Sequence, residues 1–194
     1  MLRDLNTLKK DTRFTEHLRG FDFTFYTTWG LFSPEHIDDG TRLLIEEIEV
    51  KEDAVSLDLG CGYGAIGLVL AKLSPKGIVH MVDKDFVAVE YAEKNAKTNN
   101  LTNCKSYLSN GFSAVPANTL FDIIVSNLPA KPSKELYWIL FEDAKKNLKP
   151  GGKFYVVIIS GLKEFIKRSF DETFGNYKKL RQGKAHAVLM ATKE

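Results

Sequence analysis

Four short segments of this 194-residue chain have residue types and spacing suited to chemistry. The first is Asp58-Leu59-Gly60-Cys61-Gly62-Tyr63-Gly64, a glycine turn that lets backbone approach a ligand closely. Gly60, Gly62 and Ala65 also satisfy the loose dinucleotide spacing, so the glycines fit either a dinucleotide or another adenosine compound. Asp58, two residues before Gly60, discriminates. A carboxylate there repels a pyrophosphate and suits a ligand with a cationic amino-acid end, held directly or through water; the alternative is a carboxylate that only caps the next helix. The second segment is Asp83-Lys84-Asp85. Asp83, 19 residues beyond Gly64, is placed to accept from two ribose hydroxyls, with Lys84 beside it, whereas Asp85 suits the cap of a helix starting at Phe86. The third is Ser109-Asn110-Gly111-Phe112, in which Asn110 accepts from an adenine amino group and Phe112 lies against the ring; read alone it is an ordinary Asn-Gly turn. The fourth is Asn127-Leu128-Pro129-Ala130, in which Pro129 restrains Leu128 to an extended conformation. Without the other three segments it reads as a strand-ending turn.

The surrounding elements must bring these segments together. From residue 54 the chain reads strand, helix, strand, helix. Strands are predicted at 54–59, 78–83, 104–108, 121–126 and 153–160, and helices at 64–73, 85–98, 134–148 and 162–174. Two further strands, Tyr177 to Arg181 and Ala185 to Thr192, have no helix between them, so one must run antiparallel. The expected fold class is α/β, a doubly wound, mostly parallel sheet of about seven strands, with ligands bound beyond the carboxyl ends of the strands. Upstream, Phe21, Phe23 and Phe25 alternate as a strand, and Asp38 to Ile48 reads as a helix. Residues 1–20 read as a helical or loose lead-in, and 21–194 as the domain.

Composition sets outer bounds. Apolar residues make up 44% and charged residues 27%, which excludes a disordered chain. The longest apolar run, Phe154 to Ile159, is six residues, too short to span a membrane. The N-terminal residues lack an apolar signal core, so a cytoplasmic protein is expected. Cys61 and Cys104 cannot build a disulfide framework, and the four histidines form no metal motif. Residues 131–194 carry 14 Lys+Arg against 7 Asp+Glu, net +7, whereas residues 1–130 carry 13 against 18, net −5. This asymmetry points to a polyanionic partner, with Lys163, Lys167, Arg168, Lys178, Lys179, Arg181 and Lys184 as phosphate contacts; the plain alternative is a solvated surface.

Together the four segments resemble class I S-adenosylmethionine-dependent methyltransferases, over roughly residues 21–194. Asp58–Gly64 matches the first motif, Asp83 the second and Asn110 the third, where Asp is commoner. Gly30-Leu31-Phe32-Ser33 followed by Ile37-Asp38-Asp39-Gly40-Thr41 is similar to the segment preceding the first motif in the rRNA guanine-N2 methyltransferase group, and the length matches the group's small single-domain relatives. The resemblance implies S-adenosylmethionine as cofactor, held by Asp58, Gly60, Cys61, Gly62, Asp83, Lys84, Asn110, Gly111, Phe112 and Asn127. It implies catalysis at Asn127, Leu128 and Pro129 on an exocyclic amine of RNA, with guanine N2 favoured and no metal. The group carries Asn-Pro-Pro-Phe here; this chain keeps Asn127 and Pro129 but lacks the second proline and the aromatic. Other readings are a protein glutamine methyltransferase, a small-molecule methyltransferase, or a non-catalytic cofactor- and RNA-binding subunit. A partner protein or a second copy is a possible aid to site recognition. An Asn127→Asp change keeps an acceptor and so predicts partial activity.

Overall fold

The computed structural model describes residues 5, 9–130 and 133–194. It opens with two antiparallel strands, β1 (Thr12–Leu18) and β2 (Phe21–Thr27). Arg19 and Gly20 join them, both at positive φ (51° and 87°). A two-residue turn of that kind matches the right-handed twist of a hairpin. The lead-in expected to be helical or loose is therefore a strand over 12–18. Its alternation, with Phe14, Glu16 and Leu18 turned inward, is faint in sequence because only two of the three are apolar. The expectation for residues 1–4 and 6–8 lies outside the described residues.

Helix α1 (Asp39–Glu47) follows, capped by the Asp38 side chain on the Thr41 N–H. Arg19 closes its other end: Nη1 donates to the carbonyls of Ile45 and Ile48, both at 2.8 Å. These carbonyls have no partner within a helix that stops there. The alternating section is β3 (Val55–Leu59), α2 (Ala65–Leu73), β4 (Ile78–Asp83), α3 (Phe86–Thr98) and β5 (Cys104–Leu108). It continues with β6 (Phe121–Asn127), α4 (Lys134–Asn147), β7 (Leu148–Ile159), α5 (Lys163–Phe174), β8 (Lys178–Gln182) and β9 (His186–Thr192).

The large sheet has seven strands in the order β5-β4-β3-β6-β7-β9-β8. All are parallel except β9, which runs antiparallel between β7 and β8, as the missing helix between the last two strands requires. Alternate residues face opposite sides. Ile123, Val125, Tyr155 and Val157 pack with α1, α2, α3 and the hairpin, while Ile124, Phe154, Val156 and Ile158 pack with α4 and α5. The chain leaves β3 toward one edge of the sheet and β6 toward the other. A crevice opens where these directions diverge. Among the described residues no helix is long and apolar enough to cross a membrane.

Candidate active site

A cavity of about 650 Å³ lies beyond the carboxyl ends of the central strands, within the range that holds a cofactor-sized ligand. The glycine turn, Asp83 and Lys84, Asn110 and Gly111, and Asn127 through Ala130 all line it. Residues 60 to 130 thus converge on one space.

Gly60 and Gly62 stand at φ 75° and 53°, and a Cβ built on either would meet no atom within 4 Å. The backbone here borders open space that side chains would fill, which is the surface a ligand needs for close approach. The turn is pinned from behind, with Gly60 N and Cys61 N both donating to the Val82 carbonyl. Cys61, expected to help hold the cofactor, thus has its N–H engaged, and burial pushes its thiol up and away from reactivity.

Asp83 Oδ2 accepts from Gly62 N at 2.9 Å and Oδ1 from Asp85 N at 3.0 Å. The carboxylate therefore ties the turn to the start of α3 and has lone pairs left for a ligand. Asp85 caps α3 through the Val87 N–H, as expected.

Asp58 is 1% exposed. Its Oδ2 accepts from the Gly67 N–H at 2.7 Å, in the first turn of α2, so part of the capping alternative is realised. Its Oδ1 is buried without a partner among the described residues. Burial, opposed by the Gly67 hydrogen bond and reinforced by the charge of Asp83, pushes the carboxyl up to about 7. Asp58 is not in the cavity wall, although Leu59 and Gly60 are. Of the two arrangements expected for it, burial is compatible with the water-bridged one and not with direct contact. An orphaned buried acceptor costs free energy until a donor or cation reaches it, so the site fits a ligand bearing an ammonium group.

At the other end of the cavity the Asn127 amide is fixed. Its Nδ2 donates to Asp38 Oδ2 at 3.1 Å and to Thr41 Oγ1 at 2.8 Å. A carboxylate accepts only, so the NH2 must face Asp38 and the oxygen must face away. Among the described residues none donates to that oxygen. Leu128 N donates to the Val157 carbonyl at 3.0 Å, and the Tyr137 hydroxyl donates to the Pro129 carbonyl at 2.5 Å. The segment is thereby locked between β7 and α4. Asp38 and Thr41 belong to a segment singled out in sequence only by resemblance; their grip on Asn127 spans nearly 90 residues and had no local signal. Phe32, Ile159 and His186 also join the wall unannounced.

Phe112 is corrected. It does not line the cavity but is buried in the core beside α4, with Tyr137 and Phe141. An aromatic after a turn closes a core as readily as it faces a ligand, and here α4 covers it. His80 is a packed histidine, paired with the Tyr107 hydroxyl at 2.9 Å, with its pKa lowered by burial. Among the described residues no cluster of His, Cys, Asp or Glu suits a metal ion.

Comparison with known proteins narrows the meaning of this arrangement. The family model for the methyltransferase small domain matches residues 22–190. The chain is 36% identical over 179 residues to the uncharacterized protein YbxB of Bacillus subtilis (strain 168), covering 91% of this chain and 89% of that protein. It is 33% identical over 171 residues to ribosomal RNA small subunit methyltransferase C of Haemophilus influenzae, covering 85% of this chain and 51% of that protein. The T. thermophilus 16S rRNA N2 G1207 methyltransferase (RsmC), solved with AdoMet and guanosine, superposes with a TM-score of 0.86 at 29% identity, over 95% of this chain and 51% of that one. The chain spans about half the length of these two rRNA methyltransferases. With the sheet order, the glycine cradle and the clamped asparagine in one cavity, a match of this extent means that the chain belongs to the methyltransferase small domain family, among the class I S-adenosylmethionine-dependent methyltransferases.

Proposed function

We propose that this protein methylates an exocyclic amino group of ribosomal RNA, guanine N2, using S-adenosylmethionine. The observation that carries this reading is the Asn127 amide, held by Asp38 and Thr41 with its oxygen left to accept. An exocyclic amine is a poor nucleophile because its lone pair is delocalised into the ring. Asn127 Oδ1 accepts one N–H and the Leu128 carbonyl the other, which turns the lone pair out of conjugation and toward the methyl group. The amine nitrogen gains a bond to the methyl carbon, the carbon–sulfur bond breaks, and the excess N–H proton leaves to water. The bound cofactor supplies a methyl group already activated by its sulfonium, so the protein's task is alignment. Orientation of this kind contributes roughly 7–11 kcal/mol to a barrier.

Cofactor binding falls to the other end of the cavity. Asp83 receives the ribose hydroxyls, Asn110 the adenine, Gly60 and Gly62 the close backbone approach, and Asp58 the ammonium through a bridging water. The relatives named as rRNA methyltransferases support RNA as the substrate, and with that substrate our reading takes the enzyme to be cytoplasmic. Site recognition on the RNA is taken to draw on a partner protein or a second copy.

The test is transfer of labelled methyl from cofactor to rRNA and to total protein, with digestion of the RNA to nucleosides. Label in N2-methylguanosine is expected. Label in protein instead would assign the cavity to a glutamine amide, whose planar NH2 makes the same demands on Asn127.

A further inference from the structure

Asn127 holds the edge of a planar acceptor, but an edge contact leaves the plane free to tilt, and no ring follows Pro129 because residue 130 is alanine. A large ring does border the same cavity, from another part of the chain. Phe32, on the connection from β2 to α1, lines the wall together with Asp38, Thr41 and Asn127. It is 67% exposed. Single exposed apolar side chains are ordinary on a surface, but this one is held where it stands by its neighbours. Leu31, just before it, is buried in the core, and Leu31 N donates to the Thr28 carbonyl. Ser33, just after it, is a non-glycine residue at φ 47°, with its hydroxyl on the His36 carbonyl at 2.7 Å. The Thr27 hydroxyl donates to the Pro34 carbonyl across the base of the loop. A left-handed serine costs free energy and persists only where its surroundings enforce it. Here it turns the chain so that the residue between two anchors stands at the cavity wall instead of in the core.

We infer that Phe32 is the stacking platform for the planar group being methylated, fixing the tilt that Asn127 leaves open. This rests on the proposed methyl transfer to a planar amine, though not on guanine in particular. The same loop ends in Asp38, so one connection supplies both the ring for the acceptor's face and the carboxylate that orients the asparagine on its edge.

The experiment compares wild type with Phe32→Ala, Phe32→Leu and Phe32→Tyr, on whichever of rRNA or protein the wild type labels, with cofactor affinity measured separately by calorimetry. Phe32→Ala is expected to lower kcat/KM about 10- to 100-fold, the range set by loss of a base–aromatic stack, with cofactor affinity unchanged. Phe32→Tyr should remain near wild type, and Phe32→Leu should fall with alanine, because a leucine restores apolar bulk without a flat face. Wild-type kcat/KM in Phe32→Ala overturns the inference. So does activity in Phe32→Leu equal to that of Phe32→Tyr, or a matching fall in cofactor affinity. Wild-type label in protein, with the same ranking of variants, overturns the RNA reading and keeps the platform. Absence of wild-type label in both pools overturns both.

Discussion

At the scale of single residues, the site depends on two side chains with unfinished hydrogen bonding, Asn127 and Asp58. Truncating Asn127 to alanine should lower turnover at least about 100-fold, as expected for loss of alignment, with cofactor affinity nearly intact, measured by single-turnover kinetics and calorimetry. The Asp38 contact adds a cost to Asn127→Asp, for which partial activity is expected. That change sets a second carboxylate 3.1 Å from Asp38, and like charges so close cannot both ionise. The aspartate variant should be less stable than the alanine variant at alkaline pH, with the gap narrowing in mild acid as the pair takes up a proton. Asp58 gives a second pH signature. Its folded pKa of about 7 exceeds the unfolded value of about 3.9, so the folded state binds the extra proton between them. Its contribution to stability is present below about pH 4 and is lost as pH rises to about 7. Asp58→Asn should flatten that part of a denaturation–pH profile in the cofactor-free protein while weakening S-adenosylmethionine binding. The motif residues were legible in sequence because each sits at or just beyond the carboxyl end of a strand, where this fold binds ligands. The Asp38–Asn127 contact was not, because nothing local ties residues that distant in the chain. Nor was the burial of Phe112, which depends on where α4 lands.

At the scale of elements, a pair of asparagines on α3 attaches the hairpin to the domain. Asn95 Oδ1 accepts from Tyr26 N at 2.7 Å, and its Nδ2 donates to the carbonyls of Tyr26 and Tyr63 at 2.9 Å each. One turn later, Asn99 does the same with Thr24, at 2.9 and 2.8 Å. Two amides four residues apart therefore stand in for a neighbouring strand along β2, whose edge would otherwise offer unpaired backbone groups. The same hairpin leads into the loop bearing Phe32 and Asp38, so its attachment governs one wall of the site. Asn95→Ala leaves buried backbone groups without partners and should cost about 2–4 kcal/mol in urea unfolding. Asn99→Ala, less buried, should cost less. The alternation of strands and helices from residue 54 onward was legible because its apolar runs are long and its turns glycine-rich. The strand over 12–18 was not, since its pairing is carried by backbone and by polar residues that leave only a weak period of two.

Over the whole molecule, the net +7 of residues 131–194 overstates the charge available to the proposed RNA substrate. Much of it is committed internally. Lys149 pairs with Asp122, Lys153 with Glu49 and Arg181 with Glu47, and Lys145 and Lys193 donate to backbone carbonyls. Position separates the remaining lysines, including Lys163, whose ion pair is with its own exposed neighbour Glu164 at 3.5 Å, and Lys84 from the first part of the chain. Lys163 starts α5 just beyond Ile159, and Lys184 lies two residues before His186; Ile159 and His186 both line the cavity. Lys84 lines it directly. Lys178 and Lys179 instead begin β8, which runs parallel to β7 and reaches the cavity side only at Gln182, where the amide meets the Ser160 hydroxyl. A backbone threaded past the cavity would meet the first three lysines and miss the other two. Affinity for RNA should therefore fall with salt, and reversing Lys163 or Lys184 to glutamate should reduce the slope of log affinity against log salt by about one unit each. The Lys178→Glu, Lys179→Glu double variant should leave the slope as it is in wild type. Filter binding of rRNA fragments over a salt series measures this directly. A slope that responds to Lys178 and Lys179 but not to Lys163 and Lys184 would place the RNA along the β8 edge, away from Asn127. Methyl transfer would then require the substrate base to reach the cavity from a strand bound on a different face.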